Sequence, residues 1–179
     1  MSRKKVIINI LFILLTATGP VFAQKHVIQD SSGEKIAKQY MQSFYSQDLN
    51  NIVNLTHPET IETLANNILN LLDNAQKNGT LSEFKSTTGL TQSVETIRVL
   101  ESSKIYSTVI QTNFDRTPKQ ISNELRKSKI KILNSTRIDS STLHVSMGIN
   151  DTSGQYQKGK LSLKLYKGKW KVFAPIANE

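Results

Sequence analysis

Cysteine is absent from all 179 residues. Its absence excludes disulfides, thiolate nucleophiles, cysteine-ligated metals and a lipid anchor held by cysteine behind an export signal. Histidine is scarce, at three, and no H-x-H or H-x-x-x-H spacing occurs. A zinc or two-metal hydrolytic site therefore has no ligand pattern to draw on. No G-x-S-x-G, P-loop or G-x-G-x-x-G is present, so neither an activated serine nor a nucleotide-phosphate cradle has support. Tryptophan occurs once, and the shortage of exposed aromatics for base stacking disfavours a nucleic-acid partner. Internal repeats and low-complexity tracts are missing too. Beyond the N-terminus no apolar run approaches the about 20 residues needed to cross a bilayer.

The N-terminus is different. Ser2-Arg3-Lys4-Lys5 is basic, Val6 to Leu15 is almost unbroken apolar chain, and Gly19-Pro20 breaks it before Val21-Phe22-Ala23. This order predicts a signal peptide over 1–23, cleaved after Ala23. The expected location is periplasmic or secreted, with no stable membrane anchor after cleavage. The remaining 156 residues (24–179) suffice for one domain with its own core. Charge is unevenly spread over them. Residues 24–115 carry 7 basic and 10 acidic groups, net −3, whereas residues 116–179 carry 13 and 4, net +9. Such asymmetry points to an anionic partner for the C-terminal half.

Helical spacing dominates the first part of the mature chain. Ser31 and Glu34 fit a capping box, ahead of Ile36, Ala37, Tyr40, Met41 and Phe44 on one helical face. Asp48 can cap a second, short helix. Thr56-His57-Pro58-Glu59 opens a long helix whose Ile61, Leu64, Ala65, Ile68, Leu71, Leu72 and Ala75 keep the period, and Asn78-Gly79 ends it. Residues 80–93 hold little core beyond Leu81, Phe84 and Leu90. The stretch 94–114 reads as one or two helices, with Ser102 as a cap, although its β-branched residues also suit a strand. Pro118 to Lys127 predicts a short basic helix burying Ile121 and Leu125.

From Ser128 the period becomes two. Ile130 and Ile132 alternate with Lys129 and Lys131; Leu143, Val145, Met147 and Ile149 alternate with His144, Ser146 and Gly148. Leu161, Leu163 and Leu165 alternate with Ser162, Lys164 and Tyr166. Lys167-Gly168 supplies a tight turn, after which Trp170 and Val172 oppose Lys169, Lys171 and Phe173. Helices over about 32–127 and an antiparallel sheet over about 128–174 predict a single α+β domain, with the N-terminal helices packed on a curved C-terminal sheet.

The helix ending in Phe44-Tyr45, then Ser46-Gln47-Asp48-Leu49 and another short helix, resembles the opening of the NTF2-like superfamily, the cone folds that include SnoaL-like and ketosteroid-isomerase-like proteins. Leu165-Tyr166-Lys167-Gly168-Lys169-Trp170-Lys171-Val172 resembles their closing hairpin. Residues 80–127 depart from the pattern. The resemblance implies a pocket between helices and sheet, for which Tyr40, Phe44, Tyr106 and Trp170 are the candidates to line a small apolar ligand. Members that are cofactor-independent isomerases, cyclases or dehydratases need an Asp or His with a Tyr in that pocket. The available types are Tyr40, Tyr45, Asp48, Tyr106 and Asp139, and spacing alone places no two of them together. Tyr40 reads more readily as a core aromatic with its hydroxyl at the rim, and Asp48 as a helix cap. Many exported members are non-catalytic binding modules, and that is the expectation here, with no metal and no cofactor.

The histidines add no constellation: His26 lies in a polar lead-in, His57 at a helix start, and His144 on the outward strand face. That face collects Lys129, Lys131, Lys160, Lys164, Lys169 and Lys171. Lysines there protect strand edges from aggregation, or form a patch for an anionic envelope component or acidic protein. A third expectation is a subunit of an envelope complex, with the sheet face paired to another protein.

Overall fold

The computed structural model describes residues 31–150 and 156–176. The expected signal peptide, His26 and the 151–154 turn lie outside them. Among the described residues the order is α1 (Ser31–Ser46), α2 (Leu49–Leu55), α3 (Pro58–Lys77), α4 (Leu81–Thr88), α5 (Val94–Arg98), α6 (Ser102–Arg116), α7 (Lys119–Arg126), β1 (Lys129–Arg137), β2 (Thr142–Asn150), β3 (Tyr156–Tyr166) and β4 (Lys169–Ile176). The class is α+β, and the change of period near residue 128 is where helix gives way to strand.

The described residues form two compact units: Pro58–Thr117, and the segments on either side of it. The first is all helix. α3 buries Leu64, Ala65, Ile68, Leu72 and Ala75 on one stripe, and α6 buries Ile105, Tyr106, Val109, Ile110 and Phe114. Gly79, at φ 71°, closes α3 with a 2.9 Å bond from the Thr80 N–H to the Ala75 carbonyl, because only a left-handed residue can turn the chain back onto the last turn. The Thr- and Ser-rich stretch that follows holds more order than its composition suggests. It forms α4, anchored by buried Phe84, and Leu90 is fully buried just beyond. Ser102 is the first residue of α6, and Glu101 occupies the cap position.

The second unit contains the sheet, with strand order β1-β2-β3-β4 and every neighbour antiparallel. Directly paired residues point to one side, so the register assigns the faces. Arg137, Leu143, Leu163 and Val172 form one row; Ser135, Val145 and Leu161 form the next; Ile132, Met147 and Gly159 form a third. α1 covers these rows. Gly33 sits so close that a Cβ there would overlap the Leu143 side chain, and the Ser135 hydroxyl donates to Glu34 Oε1 at 2.7 Å. Glu34 is therefore tied to the sheet, and Ser31 lies inside α1 rather than at its cap. Leu143, Val145, Met147, Leu163 and Val172 are fully buried, each contributing about 1.5–3 kcal/mol of apolar transfer free energy. Leu165 departs from the expected inward position. It pairs with Trp170 on the penultimate rung before the turn, where the sheet runs out, and is 37% exposed.

α1 ends in a reversed turn in which Gln47, at φ 61°, takes the place usually given to glycine, with Asp48 N–H bonded to the Ser43 carbonyl at 2.8 Å. Asp48 then caps α2, accepting from the Asn51 N–H at 3.1 Å. The chain leaving α2 pairs Thr56 with Val172, and the His57 N–H donates to the Val172 carbonyl at 2.7 Å. That stitch covers the outer edge of β4. In α7, Ile121 and Leu125 are only half-buried, while Ser122 is the buried residue.

Three substitutions check this account. Lys167 and Gly168 both hold positive φ, 50° and 75°, as a type I′ turn requires. Lys167→Asn should therefore raise stability by about 0.5–1 kcal/mol, and Gly168→Ala should lower it by about 1–2 kcal/mol, in urea titrations. Gly33→Val should cost about 2 kcal/mol or more by overpacking the Leu143 contact. Unchanged stability would mean that α1 does not press on β2 as described.

Candidate functional site

The face of the sheet opposite α1 is built from lysine. Lys129 shares a row with Asn150 and Tyr156; Lys131 with Gly148 and Lys158; Lys160 with Ser146; Lys164 with Thr142 and Lys171; Lys169 with Tyr166. All seven strand lysines thus fall on one side, and the four strands contain no Asp or Glu. Adjacent strands lie about 4.8 Å apart and same-face neighbours about 7 Å apart along a strand. Both spacings are below the Debye length of about 8 Å at physiological salt, so the lysine fields superpose.

The heads are not equivalent. Lys164 Nζ lies 3.5 Å from the Phe173 ring centroid, and Lys171 Nζ donates to the Asn54 carbonyl near the end of α2. Burial, and then the neighbouring Lys169, hold the Lys171 amine below its usual pKa. These contacts relieve the repulsion that two directly opposed lysines would otherwise suffer. Phe173 can reach Lys164 because β4 carries a bulge opposite Ser162–Leu163, with Phe173 as the inserted residue, and a bulge re-aims its side chain. His57 packs edge-on to Tyr166 and Phe173, with centroids 5.5 and 5.7 Å away. Lys129, Lys131, Lys158 and Lys169 are exposed, and Lys160 is half-buried.

His144 occupies the middle of this face, paired with Ser162. It lies on the outward face, as the alternation predicts, but is half-buried there rather than fully exposed. Burial first, and then the charge of Lys160, push its pKa down to about 4, against a smaller upward pull from Asp139. The imidazole is neutral at pH 7 and offers one N–H donor and one acceptor.

The aromatic pocket candidates are core. Tyr40 and Phe44 pack ring on ring at 5.6 Å within α1. Trp170 lies beside Gly33 and carries the Arg137 guanidinium at 5.4 Å. Tyr106, 1% exposed, belongs to the helical unit. A polar groove of about 300 Å³ is lined instead by Gln47, Lys119, Ser122, Asn123 and Arg126. Among the acid–base candidates, Asp48 is spent on its cap and on Asn51 Nδ2 at 2.7 Å. Asp139 accepts the Ser141 N–H and hydroxyl at 2.7 and 2.9 Å, which hold its carboxyl below the usual range. Burial pushes the Tyr45 phenol up to about 12. Among the described residues no three or more His, Asp or Glu side chains cluster to hold a metal ion, and no helix is long and apolar enough to cross a membrane.

Period-two alternation placed the lysines correctly. It also put Ser162 and Phe173 on that face, but neither the burial of Ser162 nor the bulge at Phe173 leaves a mark in the pattern. Comparison with protein-family models, curated proteins and solved structures gives no match for this chain.

The histidine makes the fold pH-sensitive. Its folded pKa, about 4, is below the unfolded value of 6.5, so the unfolded chain binds more protons between those limits and stability falls as pH drops through that window. After allowance for solvent screening at a half-exposed site, wild type should lose about 1–2 kcal/mol more than His144→Gln between pH 7 and pH 4 in urea titrations. Parallel pH profiles would refute the desolvated histidine.

Proposed function

We propose that this protein is an exported, non-catalytic NTF2-like module that holds an anionic component of the cell envelope against the lysine face of its sheet. The observation that carries the reading is the segregation of all seven strand lysines onto one face with no strand carboxylate to neutralise them. Edge protection accounts for Lys129, Lys131, Lys169 and Lys171 on β1 and β4, which are the outer strands. It does not account for Lys160 and Lys164, which lie where β3 is paired on both sides. Lys164 rests on Phe173, so Lys160 is the charge that edge protection leaves over for a partner. The order of helices first and antiparallel meander last supports the NTF2-like part, alongside the residues at the two ends of the mature chain. Export rests on the N-terminal sequence. The non-catalytic part is supported by the structural employment of Asp48 and Asp139.

Magnitudes agree with a reversible, salt-sensitive association. A basic residue near an anionic surface contributes about 1 kcal/mol. Lys129, Lys131, Lys158, Lys160 and Lys169 together supply about 5 kcal/mol, which corresponds to a sub-millimolar Kd on the order of 0.2 mM. Lys164 and Lys171 are engaged within the fold and make poor probes of binding. The informative variant is Lys129→Glu/Lys131→Glu/Lys169→Glu. Its co-sedimentation with phosphatidylglycerol vesicles should weaken by about 3 kcal/mol or more, as should that of wild type at high salt. Zwitterionic phosphatidylcholine vesicles should retain neither protein. Wild-type retention by the triple variant would return these lysines to edge protection.

A further inference from the structure

Resting on the reading of the lysine face as an anion-binding surface, we propose that His144, Ser146, Lys160 and Ser162 form a subsite on it for the terminal phosphate of a phosphate monoester. The register makes these four a two-by-two block: His144 faces Ser162 across β2 and β3, and Ser146 faces Lys160 on the next row. Directly paired side chains start about 5 Å apart, and the two rows are about 7 Å apart along the strands. A phosphate whose oxygens accept hydrogen bonds of about 2.8 Å spans this block. All four groups can donate, and none is a carboxylate.

Ser162 gives the block its floor. Its side is 7% exposed, and its hydroxyl makes no side-chain hydrogen bond among the described residues. The hydroxyl is not shut off from solvent, and it stays open to an acceptor from outside. Lys160 and Lys164 flank it two residues away on the same strand face, so an anion must reach down between their stems. A terminal phosphate does this, with three oxygens and a charge near −2. A diester, whose phosphorus is linked on both sides, presents only two free oxygens. The neighbouring bulges strengthen the case: β1 shifts register between Ile132 and Asn134, and β3–β4 between Ser162 and Leu163, on either side of the block. Bulges of this kind re-aim side chains beside binding sites. Lys160 lies close enough to depress the His144 pKa, and Asp139 is the carboxylate whose field also reaches the imidazole. A phosphate dianion seated between Lys160 and His144 reverses that balance and draws a proton onto the ring.

The test uses the whole protein, the His144 imidazole resonances and two phosphate sources. Inorganic phosphate should move the His144 resonances saturably and raise the imidazole pKa. Phosphatidylcholine vesicles carrying phosphatidic acid, which ends in a monoester phosphate, should retain the protein better than vesicles of equal surface charge carrying phosphatidylserine. Ser162→Ala and His144→Gln should each reduce phosphate affinity, and the preference for phosphatidic acid, about tenfold. Lys160→Gln, on the half-buried rim, provides the same readout in a background with little risk to folding. A response to inorganic phosphate without a lipid preference assigns the site to a soluble phosphate ester; preference among vesicles assigns it to a lipid headgroup. Both outcomes uphold the subsite. It is overturned if His144 is silent to inorganic phosphate and phosphatidic acid has no advantage, or if all three variants bind as wild type does. The two readings fail separately: loss of general vesicle binding with a surviving His144 response sinks the surface alone, and salt-sensitive vesicle binding with a silent His144 and no preference for phosphatidic acid sinks the subsite alone.

Discussion

The pairing of β2 with β3 is the constraint on which the sheet unit depends. Nine consecutive pairs run without a shift from Thr142–Lys164 to Asn150–Tyr156. The period along a strand is two, so a slip of one residue would carry Lys160 and Lys164 under α1 and expose Leu161 and Leu163. The cost of that exchange, several buried leucines and two desolvated ammonium groups, fixes the register more firmly than backbone hydrogen bonds alone. Gly33 adds a local condition, since α1 approaches Leu143 too closely for any side chain larger than hydrogen. One face is closed by contact and the other is left to charge.

On that second face, rings and a backbone carbonyl take up part of the lysine charge. Lys164 rests on Phe173, Lys171 reaches the Asn54 carbonyl, and Lys167 lies 5.3 Å from the Tyr166 ring. Aromatic rings and a helix C-terminal carbonyl lower the potential around those ammonium groups while keeping their charge. The remaining lysines stay at the surface, and the half-buried His144 stays neutral among them. The helical unit stands apart in chemistry. Its surface contacts are modest, with Arg98 bonded to Asp73 at 2.8 Å and Gln76 at 3.1 Å, an exposed pairing of at most about 1 kcal/mol.

Much of the architecture was legible because hydrophobic period is a local property. The switch from a spacing of three and four to a spacing of two marks the boundary at β1, and Gly79, Asp48 and Lys167-Gly168 announce a helix end, a helix start and a turn through their own backbone chemistry. Weak local signals misled where tertiary packing supplied the order. α4 forms in a Thr- and Ser-rich stretch because Phe84 is buried. Leu165, apolar and in phase, stays partly exposed because the sheet ends beside it.

The amino-acid order by itself determined the α+β class, the two-sided sheet and the side on which each lysine lies, since alternation and turn residues act over a few positions. Only the tertiary structure decided which lysines are engaged and which remain at the surface, that Tyr40, Phe44 and Trp170 pack as core, and that Ser162 sinks beside a neutral His144. Those outcomes depend on pairing between residues far apart in the chain and on a bulge that displaces Phe173. Burial and field at one side chain are sums over neighbours that no local spacing encodes.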